Sequence, residues 1–167
     1  LPIAGLTALQ SLRDHGRIVA GQKVLINGAA GGVGHFAVQI AKVFGAEVTG
    51  VCSGRNADLV KGLGADRVID YGNEDFTWGS GQYDLIFDAV SRSSFWDCRR
   101  VLAPRGIYVS TLPNATIVAQ IVTTFLPGRK ARSMWVKPNA VDMAWMMEQI
   151  TGGKVKVVVD KVYPLDQ

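Results

Sequence analysis

The sequence predicts an α/β fold, a doubly wound parallel sheet of six strands in the order 3-2-1-4-5-6 with helices on both faces. Three observations carry this. Val24-Leu25-Ile26 is a short apolar run of the kind a strand buried on both faces needs, and four glycines follow between Gly28 and Gly34. Val33, Phe36, Ala37, Ile40, Ala41 and Phe44 then recur at i, i+3, i+4, i+7, i+8 and i+11, one face of an α-helix, with Gly45 as its stop. Further apolar runs at 47–52, 68–70, 83–90, 107–111 and 131–136 alternate with helical stretches, which is the rhythm of βαβ units.

The elements follow in chain order. Thr7 to Asp14 is predicted as a helix with Leu9 and Leu12 inward and Gly16 ending it, and Gly21-Gln22 turns into the first strand. After the glycine turn and its helix, Glu47 to Cys52 forms the second strand, Asn56 to Leu63 a short helix closed by Gly64, and Val68 to Asp70 the third strand. Glu74 to Gly81 is a polar connection into the fourth strand, Tyr83 to Val90. The next helix contains Trp96 and Cys98 and runs to Leu102. Pro104-Arg105-Gly106 is a turn, and Ile107 to Thr111 the fifth strand. Ala115 to Leu126 is an apolar helix broken by Pro127-Gly128, and Ala131 to Val136 the sixth strand. Met143, Met146, Met147 and Ile150 form a stripe on a last helix ended by Gly152-Gly153, read as core with a soft subunit or substrate surface as the alternative, and Val155 to Val162 is an extended tail broken by Pro164.

The 167 residues suit a single domain with a sizeable core. A net charge of +4, with basic residues scattered apart from Arg99-Arg100 and the Arg129-Lys130-Arg132 group, offers no stripe for a nucleic-acid backbone. Cys52 and Cys98 lack the paired spacing of a zinc site and are expected as buried thiols in a reducing compartment, the cytoplasm. The longest apolar run, around Ile117 to Leu126, is interrupted by Gln120, Thr123 and Thr124 and is too short to span a bilayer, so no membrane association is expected.

The chemistry centres on the glycine turn. First-turn N–H groups of a helix have no intrahelical partners, and the helix dipole places partial positive charge at the same end, so an anion belongs there. Ala29, Gly31 and Gly34 occupy the slots of G-x-G-x-x-G, with alanine in the first: the middle glycine lets a diphosphate approach the backbone and the last lets the helix lie close on the strand. Gly28 has the simpler reading of a packing glycine. A dinucleotide site of the Rossmann type follows.

An NAD site carries an acid at the end of the second strand for the ribose 2′-hydroxyl. This chain has Cys52-Ser53-Gly54-Arg55-Asn56 there. A hydroxyl and a guanidinium suit a 2′-phosphate, which favours NADP(H) over NAD. Tyr71, just past the third strand, is placed on the same rim. Asp88 and Ala89, at the carboxyl end of the fourth strand, are expected to line the crevice, although Asp88 has the alternative of capping the next helix. Ser110, Thr111 and Leu112 are candidates to meet the nicotinamide end.

The order Leu1-Pro2-x-Ala4-Gly5-x-Thr7-Ala8, then Gly28-Ala29-Ala30-Gly31-Gly32-Val33-Gly34 with Gln39, Ala41 and Lys42, then Leu63-Gly64-Ala65-Asp66 and Val68-Ile69-Asp70-Tyr71, resembles the medium-chain dehydrogenase/reductase superfamily. The Ala-Ala-Gly-Gly-Val-Gly wording is most similar to its quinone oxidoreductase-like branch, which works without zinc. The resemblance covers that family's nucleotide-binding domain. It implies a fragment lacking the N-terminal catalytic domain, with the stretch from Gly153 through Leu165 lying just before the C-terminal return to it. Such a fragment would bind cofactor and hardly turn over. The resemblance further implies hydride transfer from NADPH to an electron-poor small molecule, a quinone or an enone, held by the absent domain, with no obligatory acid or metal. On matching positions Ala30, Gly31, Gly32, Val33 and Gly34 hold the diphosphate and Ser53, Arg55 and Tyr71 the 2′-phosphate. Thr7 approaches the nicotinamide, although a helix-entrance threonine has the plainer reading of a cap, and Ser110 to Leu112 approach its carboxamide side. It also implies a homodimer, for which Ser133-Met134-Trp135-Val136 is the apolar edge.

Other classes fit less well. A short-chain dehydrogenase needs Tyr-x-x-x-Lys, and none of Tyr71, Tyr83, Tyr108 or Tyr163 has lysine four residues on. A methyltransferase wants an acid where Ser53 stands. The remaining alternative is a non-catalytic module that senses NADPH or scaffolds a partner.

Overall fold

The computed structural model describes residues 2–112, 114–159 and 161. Twelve helices and strands can be named in chain order: α1 (Pro2–Gln10), β1 (Lys23–Asn27), α2 (Gly34–Val43), β2 (Glu47–Cys52), α3 (Ala57–Gly62) and β3 (Arg67–Asp70), then β4 (Tyr83–Asp88), α4 (Phe95–Cys98), β5 (Leu102–Ser110), α5 (Asn114–Phe125), β6 (Lys130–Ser133) and α6 (Ala140–Thr151). The sheet order is β3-β2-β1-β4-β5-β6 and every pairing is parallel, as the sequence predicts. The order reverses direction between β1 and β4, which places a crevice at their carboxyl ends.

Two apolar layers cover the sheet. One joins Leu9 and Leu12 of the N-terminal helical segment, Phe36 and Ile40 of α2 and Met146 of α6 to Val24, Ile26 and Phe87 of the strands. The other packs Phe95, Cys98 and Ala119 against Leu25, Ile86 and Tyr108. Burying a large aliphatic or aromatic side chain contributes roughly 1.5–3 kcal/mol, so these clusters drive the fold. A polar tie joins α1 to α6. Asp142, almost wholly buried, accepts from Arg13 Nη1 at 2.7 Å and from Gln10 Nε2 at 2.8 Å. The Arg13 guanidinium holds the Asp142 carboxyl below the usual carboxylate range.

Several boundaries differ from the sequence reading, each for a physical reason. The first helix starts at Pro2 rather than Thr7, since proline is tolerated in a first turn; it ends in a wide turn over Ser11–His15, closed by the Gly16 amide on Ser11 O at 2.8 Å. Thr7 is therefore mid-helix and cannot be a cap. The helix after β4 ends at Cys98, not Leu102. β5 begins at Leu102 and runs through Pro104-Arg105-Gly106, which the register shift opposite Tyr83 and Leu85 accommodates as a bulge, not a turn. β6 ends at Ser133. Met134 still donates to Ser110 O at 2.9 Å, whereas Trp135 projects into solvent. The methionine stripe splits: Met146 is buried and Met147 is 45% exposed, because α6 rests on α1 along a narrower band than the spacing suggests. Residues 155–159 of the tail carry no regular structure, and Gln39 holds them onto α2 through the Lys156 amide and carbonyl at 2.6 and 3.0 Å. Val162, Tyr163, Pro164 and Leu165 lie outside the described residues.

Candidate dinucleotide site

The glycine turn owes its shape to two close approaches. Gly28 has φ +81°, and a Cβ there would stand 2.5 Å from Val90 Cγ1; only a residue without a side chain both adopts that angle and fits. At Gly34 a Cβ would meet the Gly28 carbonyl oxygen at 2.0 Å, so the last glycine seats α2 directly on the end of β1. Between them the backbone is bared. Gly31 and Gly32 are exposed, Ala30 and Val33 are half-buried, and no side chain caps α2. The Gly31 amide folds back on Gly28 O at 2.9 Å, while the Gly32 and Val33 amides have no partner among the described residues. Uncapped amides at a helix entrance are donors shaped for an anion.

The turn opens into a cleft of about 630 Å³. Ala30, Gly31, Gly32 and His35 form one wall, Arg55, Asn56 and Leu59 the other, and Val158 of the tail closes one side. Arg55 is exposed and makes no hydrogen bond or ion pair with a described residue. Ser53 is half-buried and accepts from Asn56 Nδ2 at 3.2 Å. His35 was not singled out by sequence reasoning. Its Nδ1 contacts Gly31 O at 3.0 Å, which braces the turn; histidine next to the last glycine was the available signal.

A second hollow of about 520 Å³ lies across Gly28, between Tyr71 and Phe76 on one side and Val90 and Arg92 on the other. Tyr71 is exposed, with its amide on Cys52 O at 3.1 Å, so it stands on the β2 rim as the sequence suggests. Tyr71 and Arg55 line different hollows.

The β4–β6 rim differs. Asp88 is fully buried and lines neither hollow. Its carboxylate accepts from Asn27 Nδ2, the amides of Val90, Ser91 and Ser93, and the Tyr108 hydroxyl, at 2.7–3.2 Å. The sequence places it at the crevice; in the structure its carboxylate is taken up by these five donors, and it shapes the loop after β4. Nor does it cap the next helix. Ser94 does that, in a capping box with Asp97. Burial first, and then the charge of Asp88, push the Tyr108 phenol above its ordinary range, so it remains a proton donor to Asp88. Ser110 is buried, its hydroxyl 2.9 Å from that of Ser91. Ser91, at φ +53°, is the residue sequence reasoning missed here, since a serine carries no signal for that angle. Ala89 and Thr111 are half-buried and Leu112 is half exposed. Thr7 is nearly buried in α1, away from both hollows. Both cysteines are buried free thiols, as expected, pushed up first by burial. Among the described residues no cluster of His, Cys, Asp or Glu could hold a metal ion, and no helix is long and apolar enough to cross a membrane.

The family model described as zinc-binding dehydrogenase matches residues 63–167. The chloroplast envelope quinone oxidoreductase homolog of Arabidopsis thaliana is 34% identical over 178 residues, spanning 100% of this chain and 54% of its own length. The trans-enoyl reductase pgmF of Aspergillus terreus is 35% identical, spanning 95% of this chain and 49% of its own. Among solved structures, the quinone oxidoreductase from Coxiella burnetii superposes with a TM-score of 0.85 at 31% identity, covering 96% of this chain and 50% of that one. The chain spans about half the length of the curated relatives it matches.

Proposed function

The chain belongs to the medium-chain dehydrogenase/reductase superfamily, in its quinone oxidoreductase-like branch, and on that premise we propose that it holds NADP(H) for a zinc-independent oxidoreductase acting on a quinone or an enone. The observation that carries the proposal is the uncapped α2 entrance. Its unpartnered Gly32 amide opens into the same cleft as an unpaired arginine, and the next amide, that of Val33, is unpartnered as well. The residues fit a dinucleotide: the Gly34 contact leaves no room for a side chain that would block the turn, and Gly31 and Gly32 present backbone to solvent.

Bound there, the nicotinamide supplies the hydride. The chain's own part is to bind and orient: the Gly32 and Val33 N–H groups hold the diphosphate while Gly31 and Gly34 leave it room, Ser53 and Arg55 hold the 2′-phosphate with Tyr71 bordering the neighbouring hollow, and the Ala89 and Thr111–Leu112 segments border the far end. Fixing a donor against an acceptor contributes much of a rate enhancement without an acid or a metal. The quinone or enone pocket is proposed to lie in the length that the relatives have and this chain does not span. Two free thiols support a reducing compartment, the cytoplasm in this reading. The names of quinone oxidoreductases and enoyl reductases among the relatives support the acceptor class.

A homodimer belongs to the proposal, moved beyond the strand itself. Two β6 amides, Ala131 and Ser133, are already taken by Thr123 Oγ1 at 3.0 Å and Gln120 Oε1 at 2.6 Å of α5, so a partner would meet the segment around exposed Trp135. Sedimentation showing monomer alone at high concentration removes this part. The cofactor assignment is tested by calorimetric titration with NADPH and NADH in parallel. NADPH binding several-fold tighter is expected; equal affinities, or tighter NADH, would falsify the roles given to Ser53 and Arg55.

A further inference from the structure

We infer that Asp70, at the carboxyl end of β3, sets the limit on this site's preference for a 2′-phosphate by delivering from the neighbouring strand the carboxylate that β2 lacks. The inference rests on the dinucleotide reading above and concerns what happens at the adenosine ribose.

The parallel register pairs Asp70 with Cys52, the last residue of β2. The strand ends are tied there by the Tyr71 amide on Cys52 O at 3.1 Å. From that position the side chain reaches over the turn after β2. A Cβ at Gly54 would stand 2.6 Å from Asp70 Oδ2 and 3.3 Å from its Cγ, so the carboxylate rests on Gly54, between Ser53 and Arg55 in the chain. A dinucleotide site that carries an acid on β2 uses it on the ribose hydroxyl; here the sequence shows no acid in that segment, and folding supplies one.

The charge is not neutralised. The Asp70 oxygens accept from the Gly72 amide at 3.0 Å and from Asn73 Nδ2 at 2.8 Å, both uncharged donors, and no cation among the described residues pairs with the carboxylate. Its field reaches the end of β2, where the Cys52 thiol is raised by burial and then by Asp70. A group at the ribose 2′ position therefore meets opposite influences: Arg55 attracts a phosphate, and Asp70 repels it while accepting from a hydroxyl. Selectivity is the difference between two such energies, so Asp70 narrows the preference for NADP(H) that Arg55 establishes.

The test compares ADP-ribose with its 2′-phosphate, which differ at that position alone, by calorimetry on wild type, Asp70→Asn and Asn73→Ala. Asp70→Asn is expected to tighten binding of the 2′-phosphate about five-fold, which is ~1 kcal/mol, with less gain in ~0.5 M salt and no gain for ADP-ribose. Asn73→Ala removes the neighbouring hydrogen bond and keeps the charge, so it should leave the ratio of the two affinities unchanged. Equal changes for both ligands in Asp70→Asn, or the same ratio shift in Asn73→Ala, overturns the inference and leaves the dinucleotide reading standing. Wild type binding neither ligand overturns that reading, and this inference with it.

Discussion

The two halves of the sheet's carboxyl rim spend their polar groups in opposite ways. Along β1–β3 the Gly32 and Val33 amides and the Arg55 guanidinium have no partner among the described residues. Along β4–β6 the groups bind each other. Asp88 takes five donors, the Ser91 and Ser110 hydroxyls meet at 2.9 Å, and the Leu112 amide reaches the Ser91 oxygen at 3.2 Å. A buried polar group left unpaired costs about 1–3 kcal/mol, whereas an exposed one is satisfied by water at no such cost. The open half can keep its donors free for a ligand because it faces solvent. The closed half, being buried, pairs its polar groups with one another, the Ser133 hydroxyl excepted, and it thereby fixes the loop that forms one wall of the hollow beside Gly28.

Filling the tightest approach in the open half is the strongest way to break this contrast. Gly34→Ala places a Cβ 2.0 Å from the Gly28 carbonyl oxygen, backbone against backbone, with no flexible side chain to give way. We expect a loss of about 3 kcal/mol or more and no measurable dinucleotide binding, since α2 has to move off β1 and carry the Val33 amide with it. Denaturant unfolding together with NADPH titration checks both. Wild-type stability and affinity would show that the turn is not held by this contact.

The closed half breaks next. Asp88→Ala leaves the Val90, Ser91 and Ser93 amides and Asn27 Nδ2 without their acceptor, while Tyr108 keeps only Ser93 O. The expected cost is roughly 3 kcal/mol, seen in the urea midpoint. Because Asp88 shapes a wall rather than touching ligand, affinity measured under conditions where the variant is folded should fall only a few-fold. A hundred-fold loss in folded protein would restore it as a direct ligand and dissolve the distinction between the halves.

The same contrast explains what was legible in the sequence. The strand positions, the glycine turn and the α2 stripe follow from local rules, because periodicity and glycine spacing act within a few residues, and the strand order follows from the doubly wound pattern they indicate. Arg55 and Tyr71 could be placed on the rim by counting to strand ends. Asp88 and Ser110 could be placed on the rim as well, but not their orientation: what they face is decided by Tyr108 and Ser91, twenty and nineteen residues away across the sheet. Asp70 was invisible for a like reason, since only the β2–β3 register brings it over Gly54. Sequence spacing shows which residues reach an edge; pairing across strands decides which of them remain free.

Arg55→Ala gives the smallest effect and sharpens the comparison most. The side chain is exposed and without partners, so its loss should move the unfolding midpoint by less than about 0.5 kcal/mol. A partly exposed guanidinium against a phosphate contributes on the order of 1–1.5 kcal/mol, so affinity for NADPH should drop about ten-fold while that for NADH stays within two-fold. Raising salt should narrow the gap between wild type and variant, because the contact is solvent-facing. Equal losses for the two coenzymes would mean that Arg55 supports the cleft wall shared by both, and the open half would then be partly structural, as the closed half is. A selective loss at unchanged stability assigns Arg55 to the ligand alone, a separation Asp88→Ala cannot show, because there shape and stability fall together.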